Sequence, residues 1–264
     1  MLNFQKPEES RVKVLHRHQF ANVRLGLSKR DIGVILAIFL TLDMLFSASY
    51  LLGTLPESYK FSLANWLGLL DLSAENTIPG TYLTLKLIAG SCLAGLVIFS
   101  FETEEKISAF WYAAVFILIY LTVDRMTQLH AVWAHDIAIK IFGVTAATSH
   151  HAHLLSQDLP TAIFYFSAML AFRRQYRRVL RWIVPSASLL MLPYISPNFR
   201  ALIQDMSMNS FLSSVIKPFS QQALITTYEH GIYLLNGTLI FAILLVALHE
   251  MQKQTVMYTW YDVE

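Results

Sequence analysis

Long apolar segments alternate with polar ones along this chain. Residues 32–53, 80–101 and 107–129 are rich in Leu, Ile, Val, Phe and Ala and carry few charges. Residues 223–249 form a fourth long segment of the same kind. Because a helix rises about 1.5 Å per residue, each segment is long enough to cross a hydrocarbon core of about 30 Å. The pattern therefore predicts that these four segments are membrane-spanning helices.

Two shorter apolar segments, residues 159–172 and 182–196, flank an arginine-rich stretch. Each has about fifteen residues, which is marginal for a full crossing unless the neighbouring Arg side chains reach the headgroups. We interpret them as the fourth and fifth spans. The alternative is a shallow re-entrant hairpin, which Pro185 and Pro193 would suit.

The connecting segments complete the predicted layout. Residues 61–70 and 201–216 mix apolar and polar positions and predict amphipathic helices in the membrane interface. We expect a basic N-terminal segment at 1–31, a single transmembrane domain at 32–249 and a C-terminal tail at 250–264. The predicted fold is all-α: a polytopic membrane helical bundle of about six transmembrane helices with interfacial amphipathic helices.

Composition and charge agree with this layout. Of the 264 residues 55% are apolar and 14% are charged, whereas about a quarter are charged in soluble domains. The net charge is only +2, which offers no basic surface of the kind that nucleic acid requires. Fourteen of the twenty Lys and Arg residues fall in segments that the six-span topology places on one side. The positive-inside rule makes that side cytoplasmic and places both termini there.

The arginines between the two short segments suggest one class of partner. Arg173, Arg174, Arg177 and Arg178 are candidates for contact with anionic lipid headgroups, which attract each nearby cation by about 1 kcal/mol. The expected partners are the lipid bilayer and either other membrane protein subunits or further copies of the chain, and not nucleic acid. The single cysteine, Cys92, excludes an intrachain disulfide and a Cys-based metal cluster.

A charged residue lies inside each of the first two spans. Asp43 is near the middle of the first span, and Lys86 lies in the second. A charge at a helix centre costs about 2.5–3.5 kcal/mol on insertion, so such residues are paired or functional. We expect Asp43 and Lys86 to form an intramembrane ion pair. Two interpretations of that pair stay open, a structural link between neighbouring helices and part of a path for protons or ions.

Acidic and imidazole side chains gather at the predicted outer ends of the spans. On a continuous helix Asp124, Gln128 and His135 share one face, because offsets of four and eleven residues are close to whole turns. His130 then points roughly 120° away. Residues 150–153 add three further imidazoles, which could hold copper or zinc or could belong to an ordinary polar loop.

These residues define a candidate metal site. Convergence of Glu75, Asp124, His130 and Glu229, with His135 as a further ligand, would give an oxygen-rich set with imidazoles. Such a set suits a divalent transition metal, zinc, manganese or iron, as cofactor. The alternative is that the same side chains are solvated at the membrane boundary or cap helices, as Glu229 would near a helix N-terminus.

Three segments of the chain together resemble a known group. Residues 69–90, 119–133 and 227–248 are similar, in order and spacing, to a group of uncharacterised bacterial multi-pass membrane proteins. Members of that group carry a Glu before the second span, an Asp-Glu followed five residues later by His-Glu after the third span, and paired glutamates at the start of the last. The resemblance covers the chain from about residue 35 onward and implies a location in the bacterial cytoplasmic (inner) membrane.

The motif is only partly present here. The residues that match it are Glu75, Asp124, His130 and Glu229. Arg125 and Ala131 stand where the group has acids, and His230 interrupts the acidic pair. The resemblance therefore implies a divergent member in which any carboxylate site is weakened, and it transfers no activity.

Three functions follow from these features. The chain contains no Walker loop, no G-x-S-x-G and no H-E-x-x-H motif, so the sequence assigns no enzyme activity. The absence of a complete catalytic motif favours a non-catalytic subunit or scaffold of a membrane complex. The first alternative is a membrane enzyme or metal-binding protein with an outward-facing Asp/His/Glu site. The second is a proton-coupled carrier that uses Asp43 and Lys86.

Overall fold

The computed structural model describes residues 28–54, 72, 77–100, 105–129, 133, 135–142, 154–173, 177–190 and 221–261. Within these ranges all regular secondary structure is helical, which confirms the all-α class for the described part of the chain. The helices are α1 (Lys29–Gly53), α2 (Ile78–Ser100), α3 (Glu105–Thr127), α4 (His135–Phe142), α5 (Leu159–Phe172), α6 (Arg177–Leu190) and α7 (Gln221–Tyr261), with a π-helical turn at Leu154–Asp158 before α5.

Four of these helices are long and apolar enough to cross a membrane. They are α1, α2, α3 and the part of α7 between Ala223 and Gln252. α5 and α6 have 14 residues each, or about 21 Å, which is less than the roughly 30 Å of a hydrocarbon core. The structure therefore supports four spans and does not confirm six. Whether α5 and α6 cross the membrane or form a re-entrant hairpin stays a prediction.

The ends of the helices differ from the predicted ends for local reasons. α1 starts three residues early because Ser28 and Asp31 form a capping box, in which each side chain accepts a hydrogen bond from the other residue's backbone N–H. α6 starts five residues early, so Arg177, Arg178 and Arg181 belong to its first turns. α7 runs on to Tyr261 and includes most of the predicted tail. The predicted interfacial helices at 61–70 and 201–216, with Pro193, lie outside the described residues.

The third helix continues past Asp124, as predicted, but does not run unbroken to His135. α3 ends at Thr127, and the next residue, Gln128, has a φ of 54°. This left-handed backbone cannot continue a right-handed helix. The next α-helix within the described residues, α4, begins at His135. The face that Asp124, Gln128 and His135 were expected to share on one helix therefore does not exist.

The bundle is organised around α7, which packs against α1, α2 and α6. Its core positions are almost completely buried, among them Ile243, Leu244 and Leu248. α2 also packs against α3, α3 against α5, and α5 against α6. The ring of Phe110 on α3 lies 4.9 Å from that of Phe172 on α5, within the range of favourable aromatic contact. Most of the buried apolar side chains thus form one core, and Leu72, Leu83 and Leu234 form a second, smaller cluster.

The outer surface of the bundle is strongly apolar. Large hydrophobic side chains such as Met44, Phe99 and Phe116 are at least 73% exposed. A soluble monomer rarely exposes apolar patches on this scale. Lipid would cover such a surface, and this agrees with the four apolar helices of spanning length.

Candidate functional site

The most unusual feature of the interior is a charged network that joins three helices. Nζ of Lys86 on α2 lies 2.8 Å from Oδ1 of Asp43 on α1. The same ammonium group donates to the carbonyl oxygen of Leu234 at 2.8 Å and to Oγ1 of Thr238 at 3.0 Å, both on α7. We call Asp43, Lys86, Thr238 and the Leu234 carbonyl the charged network. It ties α1, α2 and α7 together at one level of the bundle.

Both charged groups in the network are hydrogen-bonded, and the ammonium group has all of its donors paired. The three N–H groups of the Lys86 ammonium have three oxygen acceptors, which is all that an ammonium group can use. The hydroxyl of Thr238 accepts from Lys86 and donates to Oδ2 of Asp43 at 2.6 Å. Asp43, Lys86 and Thr238 are 5%, 3% and 1% exposed. A buried charge pair is favourable only with such complete hydrogen bonding.

An aromatic residue completes the surroundings. The ring centroid of Tyr82 lies 4.3 Å from Nζ of Lys86, a cation–π contact. The hydroxyl of Tyr82 donates to the backbone carbonyl of Phe39 at 3.1 Å. Tyr82 thus joins α2 to α1 one turn away from the ion pair, because residues 82 and 86 are four apart on the same helix face.

The levels of the two charges along their helices explain why they meet. Asp43 lies roughly ten residues before the end of α1, and Lys86 lies roughly eight residues after the start of α2. At a rise of 1.5 Å per residue, Asp43 is about 15 Å from the end of α1 and Lys86 is about 12 Å from the start of α2. The two charges are therefore at similar levels when the consecutive helices are antiparallel. The sequence signals the pair because both residues are charged within apolar segments. It does not single out Thr238 or Leu234, because a lone Thr or a backbone carbonyl in an apolar helix carries no comparable signal.

Gly237 allows α7 to lie close to α2 beside this network. A Cβ placed on Gly237 would lie 2.5 Å from Cδ1 of Leu83 and 3.8 Å from Nζ of Lys86. The first distance is too short for two carbon atoms, so a side chain at this position would displace Leu83. Small residues permit this kind of close helix packing in membrane bundles.

A partly open cavity of about 40 Å³ lies beside Gly237 and Leu83, between α2, α3, α7 and the start of α5. The polar side chains that line it are those of Arg125, Gln157, Asp158, Thr161, Tyr233 and Asn236. Deeper in the bundle its lining is apolar and includes Leu87, Leu121 and Ile240. Asn236 also accepts a hydrogen bond from the buried hydroxyl of Tyr165, which joins α5 to α7 beside the cavity.

The residues of the predicted metal site are mostly beyond what the structure describes. Glu75 and His130 lie outside the described residues, and only the backbone positions of His135 on α4 and Glu229 on α7 are described. Asp124 is fully buried near the end of α3. Among the described residues no three His, Cys, Asp or Glu side chains lie close enough to hold a metal ion. The metal site and its divalent cofactor therefore stay predictions.

The arginines predicted to meet lipid headgroups lie at one end of the bundle. Arg173, Arg177 and Arg178 are exposed, and Arg174 lies outside the described residues. Nη1 of Arg178 is 3.1 Å from Oε1 of Glu250 on α7, at an exposed position. This contact puts the start of α6 beside the distal half of α7, as an antiparallel arrangement of the two helices requires.

Comparison of the chain with protein-family models, with curated proteins and with solved structures finds no match in any of the three. The similarity to bacterial multi-pass membrane proteins inferred from the sequence therefore stays a prediction. Interpretation of the site depends on its geometry.

Proposed function

We propose that this chain is an integral membrane protein that serves as a non-catalytic subunit or scaffold, and that the charged network holds its bundle together. The observation that carries the proposal is the complete hydrogen bonding of Lys86, whose three acceptors come from two other helices. A group that transfers protons needs a partner that changes between states. A fully paired group at a three-helix contact instead favours one fixed arrangement of those helices.

The packing of α1 supports a structural role for the network. Only Ile32, Leu36 and Asp43 are buried along this helix. Asp43 is thus the one buried polar side chain among the described residues of α1, which also contacts the bundle through the aromatic rings of Phe39 and Phe46. α1 is also the least buried of the four helices of spanning length.

The exposed face of α1 supports the role of a subunit or scaffold. Val34, Ile38, Met44, Leu45 and Leu52 are each more than half exposed. A helix at the edge of the bundle that presents a broad apolar face is suited to lateral packing against another membrane protein. Lipid tails are as apolar as these side chains, so the hydrophobic effect does not drive helices together within the bilayer. Association therefore depends on close packing and on contacts between the helices.

A photo-crosslinking experiment tests this role. A photoreactive amino acid replaces Met44 on α1, and the matched control replaces Phe116 on α3, which is equally exposed. After irradiation of native membranes we expect a discrete protein adduct from position 44 and lipid adducts from position 116. Lipid adducts alone from both positions, together with a monodisperse monomer in mild detergent, would contradict the subunit role.

A second candidate function is proton-coupled transport, and the cavity beside Gly237 is the observation that favours it. The cavity is lined by Gly237, and a Cβ placed on this residue would lie 3.8 Å from Nζ of Lys86. Purified protein in liposomes with an enclosed pH-sensitive dye measures proton flux under a pH gradient. A carrier predicts flux in the wild type that is lost in Asp43→Asn. The structural role predicts that wild type and variant are equally proton-tight.

A further inference from the structure

The end of α5 and the start of α6 bring exposed arginines together at one end of the bundle. Arg173 follows α5 directly, and Arg177 and Arg181 lie about one turn apart on the same face of α6. Four residues of chain join Arg173 to Arg177, so their Cα atoms are at most about 15 Å apart. All three side chains are exposed. We call Arg173, Arg177 and Arg181 the arginine cluster.

The same helix faces become apolar away from this end. Phe166 lies seven residues before Arg173 on α5, and Val184 lies seven residues after Arg177 on α6. Seven residues make nearly two turns, so each apolar residue shares a face with its arginine about 10 Å further along the helix. Phe166 and Val184 are 58% and 59% exposed. Each of the two packed helices therefore presents a cation at its end and an exposed apolar surface beyond it.

We propose that these exposed faces of α5 and α6 bind an anionic phospholipid, with its phosphate at the arginine cluster and its acyl chains along Phe166 and Val184. A guanidinium group can donate two parallel hydrogen bonds to one phosphate. Charge complementarity thus favours an anionic headgroup, and the apolar surface beyond the cluster favours a lipid over a free anion. Trp182, which follows Arg181 and is 38% exposed, is of a residue type enriched at membrane–water interfaces.

The proposed site differs from the set of arginines predicted from the sequence. Arg178 was in that set, but its guanidinium group contacts Glu250 on α7. Arg181 takes its place, because it shares a face of α6 with Arg177. The proposal goes beyond the role of a subunit or scaffold and does not depend on it.

Titration followed by native mass spectrometry tests the site with the full-length protein in mild detergent. The probes are phosphatidylglycerol, which is anionic, and phosphatidylcholine with the same acyl chains, which has no net charge. Arg177→Gln with Arg181→Gln removes two charges from the cluster. The matched control, Lys29→Gln with Arg30→Gln, removes two exposed charges from the start of α1. Arg177→Lys with Arg181→Lys keeps both charges and removes the planar guanidinium groups.

We expect wild type to bind the first phosphatidylglycerol at least about tenfold more tightly than phosphatidylcholine, and the Gln variant of the cluster to lose this preference. The control should change the Kd by less than about twofold, and the Lys variant should bind phosphatidylglycerol more weakly than wild type. Equal weakening in the two Gln variants would overturn the proposal, because it would indicate general attraction to positive charge. Equal affinity of wild type for the two lipids, wild-type affinity in the Lys variant, or displacement of the bound lipid by excess inorganic phosphate would also contradict it.

Discussion

Replacement of Asp43 by Asn removes one charge from the network and keeps the shape of the side chain. In the variant the Lys86 ammonium loses its counter-ion and keeps two neutral acceptors, the Leu234 carbonyl and the Thr238 hydroxyl. The side chains at positions 43 and 86 are almost fully buried, so water does not replace the lost carboxylate. The variant therefore contains an uncompensated buried charge.

The expected loss follows from the burial of the pair. Removal of one partner of a buried ion pair costs about 3–5 kcal/mol, which corresponds to a change of roughly 10²–10⁴-fold in the unfolding equilibrium. A pair at the surface contributes only about 0–1 kcal/mol. Arg178→Ala, which breaks the exposed contact with Glu250, is therefore the matched control.

Two double variants separate charge pairing from shape. Asp43→Leu with Lys86→Met replaces the pair by apolar side chains, which is often neutral or stabilising for buried pairs, so we expect stability within about 1 kcal/mol of the wild type. The exchanged pair, Asp43→Lys with Lys86→Asp, should not recover stability. In the exchange a carboxylate at position 86 faces the carbonyl of Leu234, and two acceptors cannot hydrogen-bond.

Reversible unfolding in mixed micelles, followed by far-UV circular dichroism, gives the free energy of unfolding of each variant. If Asp43→Asn and Arg178→Ala lose the same amount, within about 1 kcal/mol, the network does not stabilise the bundle as a buried ion pair does. Full recovery in the exchanged pair would show that the orientation set by Leu234 is unimportant.

Three further predictions concern other contacts. Gly237→Ala should lower the free energy of unfolding by about 1–3 kcal/mol, because the added Cβ would lie 2.5 Å from a methyl carbon of α2. Gly95→Ala is the control and should be neutral, because a Cβ there meets open space. The same denaturation assay compares the two variants. Tyr165→Phe should cost about 0.6–1.7 kcal/mol, the usual range for an interhelical hydrogen bond in a membrane, and no loss would refute that bond. Arg173→Gln with Arg177→Gln should weaken retention of anionic phospholipid by roughly 1 kcal/mol per charge, measured by native mass spectrometry, with an unchanged result in neutral lipid.

The sequence predicted the features that a run of apolar residues makes visible. The four long helices are recognisable because their length matches the membrane, and Asp43 and Lys86 stand out because a charge in such a run is costly. Their proximity also followed from simple helix geometry, since both lie at similar distances from neighbouring helix ends.

Features that depend on contacts between distant segments were not predictable. Thr238 faces Asp43 across nearly two hundred residues of sequence, and its hydroxyl is unremarkable within an apolar helix. The interruption after Thr127 depends on the left-handed backbone of Gln128, a residue type that only rarely adopts it. The cavity arises from four helices and is lined by polar residues that are individually ordinary at a membrane boundary.

The most direct test of the central claim is the distance between the two charged groups in a lipid bilayer. Solid-state NMR with ¹⁵N-labelled lysine and ¹³C-labelled aspartate measures the separation of Lys86 Nζ and Asp43 Cγ through their dipolar coupling, with Lys86→Met to assign the signal. A hydrogen-bonded pair with Nζ–Oδ1 at 2.8 Å places these two nuclei less than about 4 Å apart. A separation greater than about 6 Å would mean that no ion pair joins α1 to α2, and the charged network described above would be wrong.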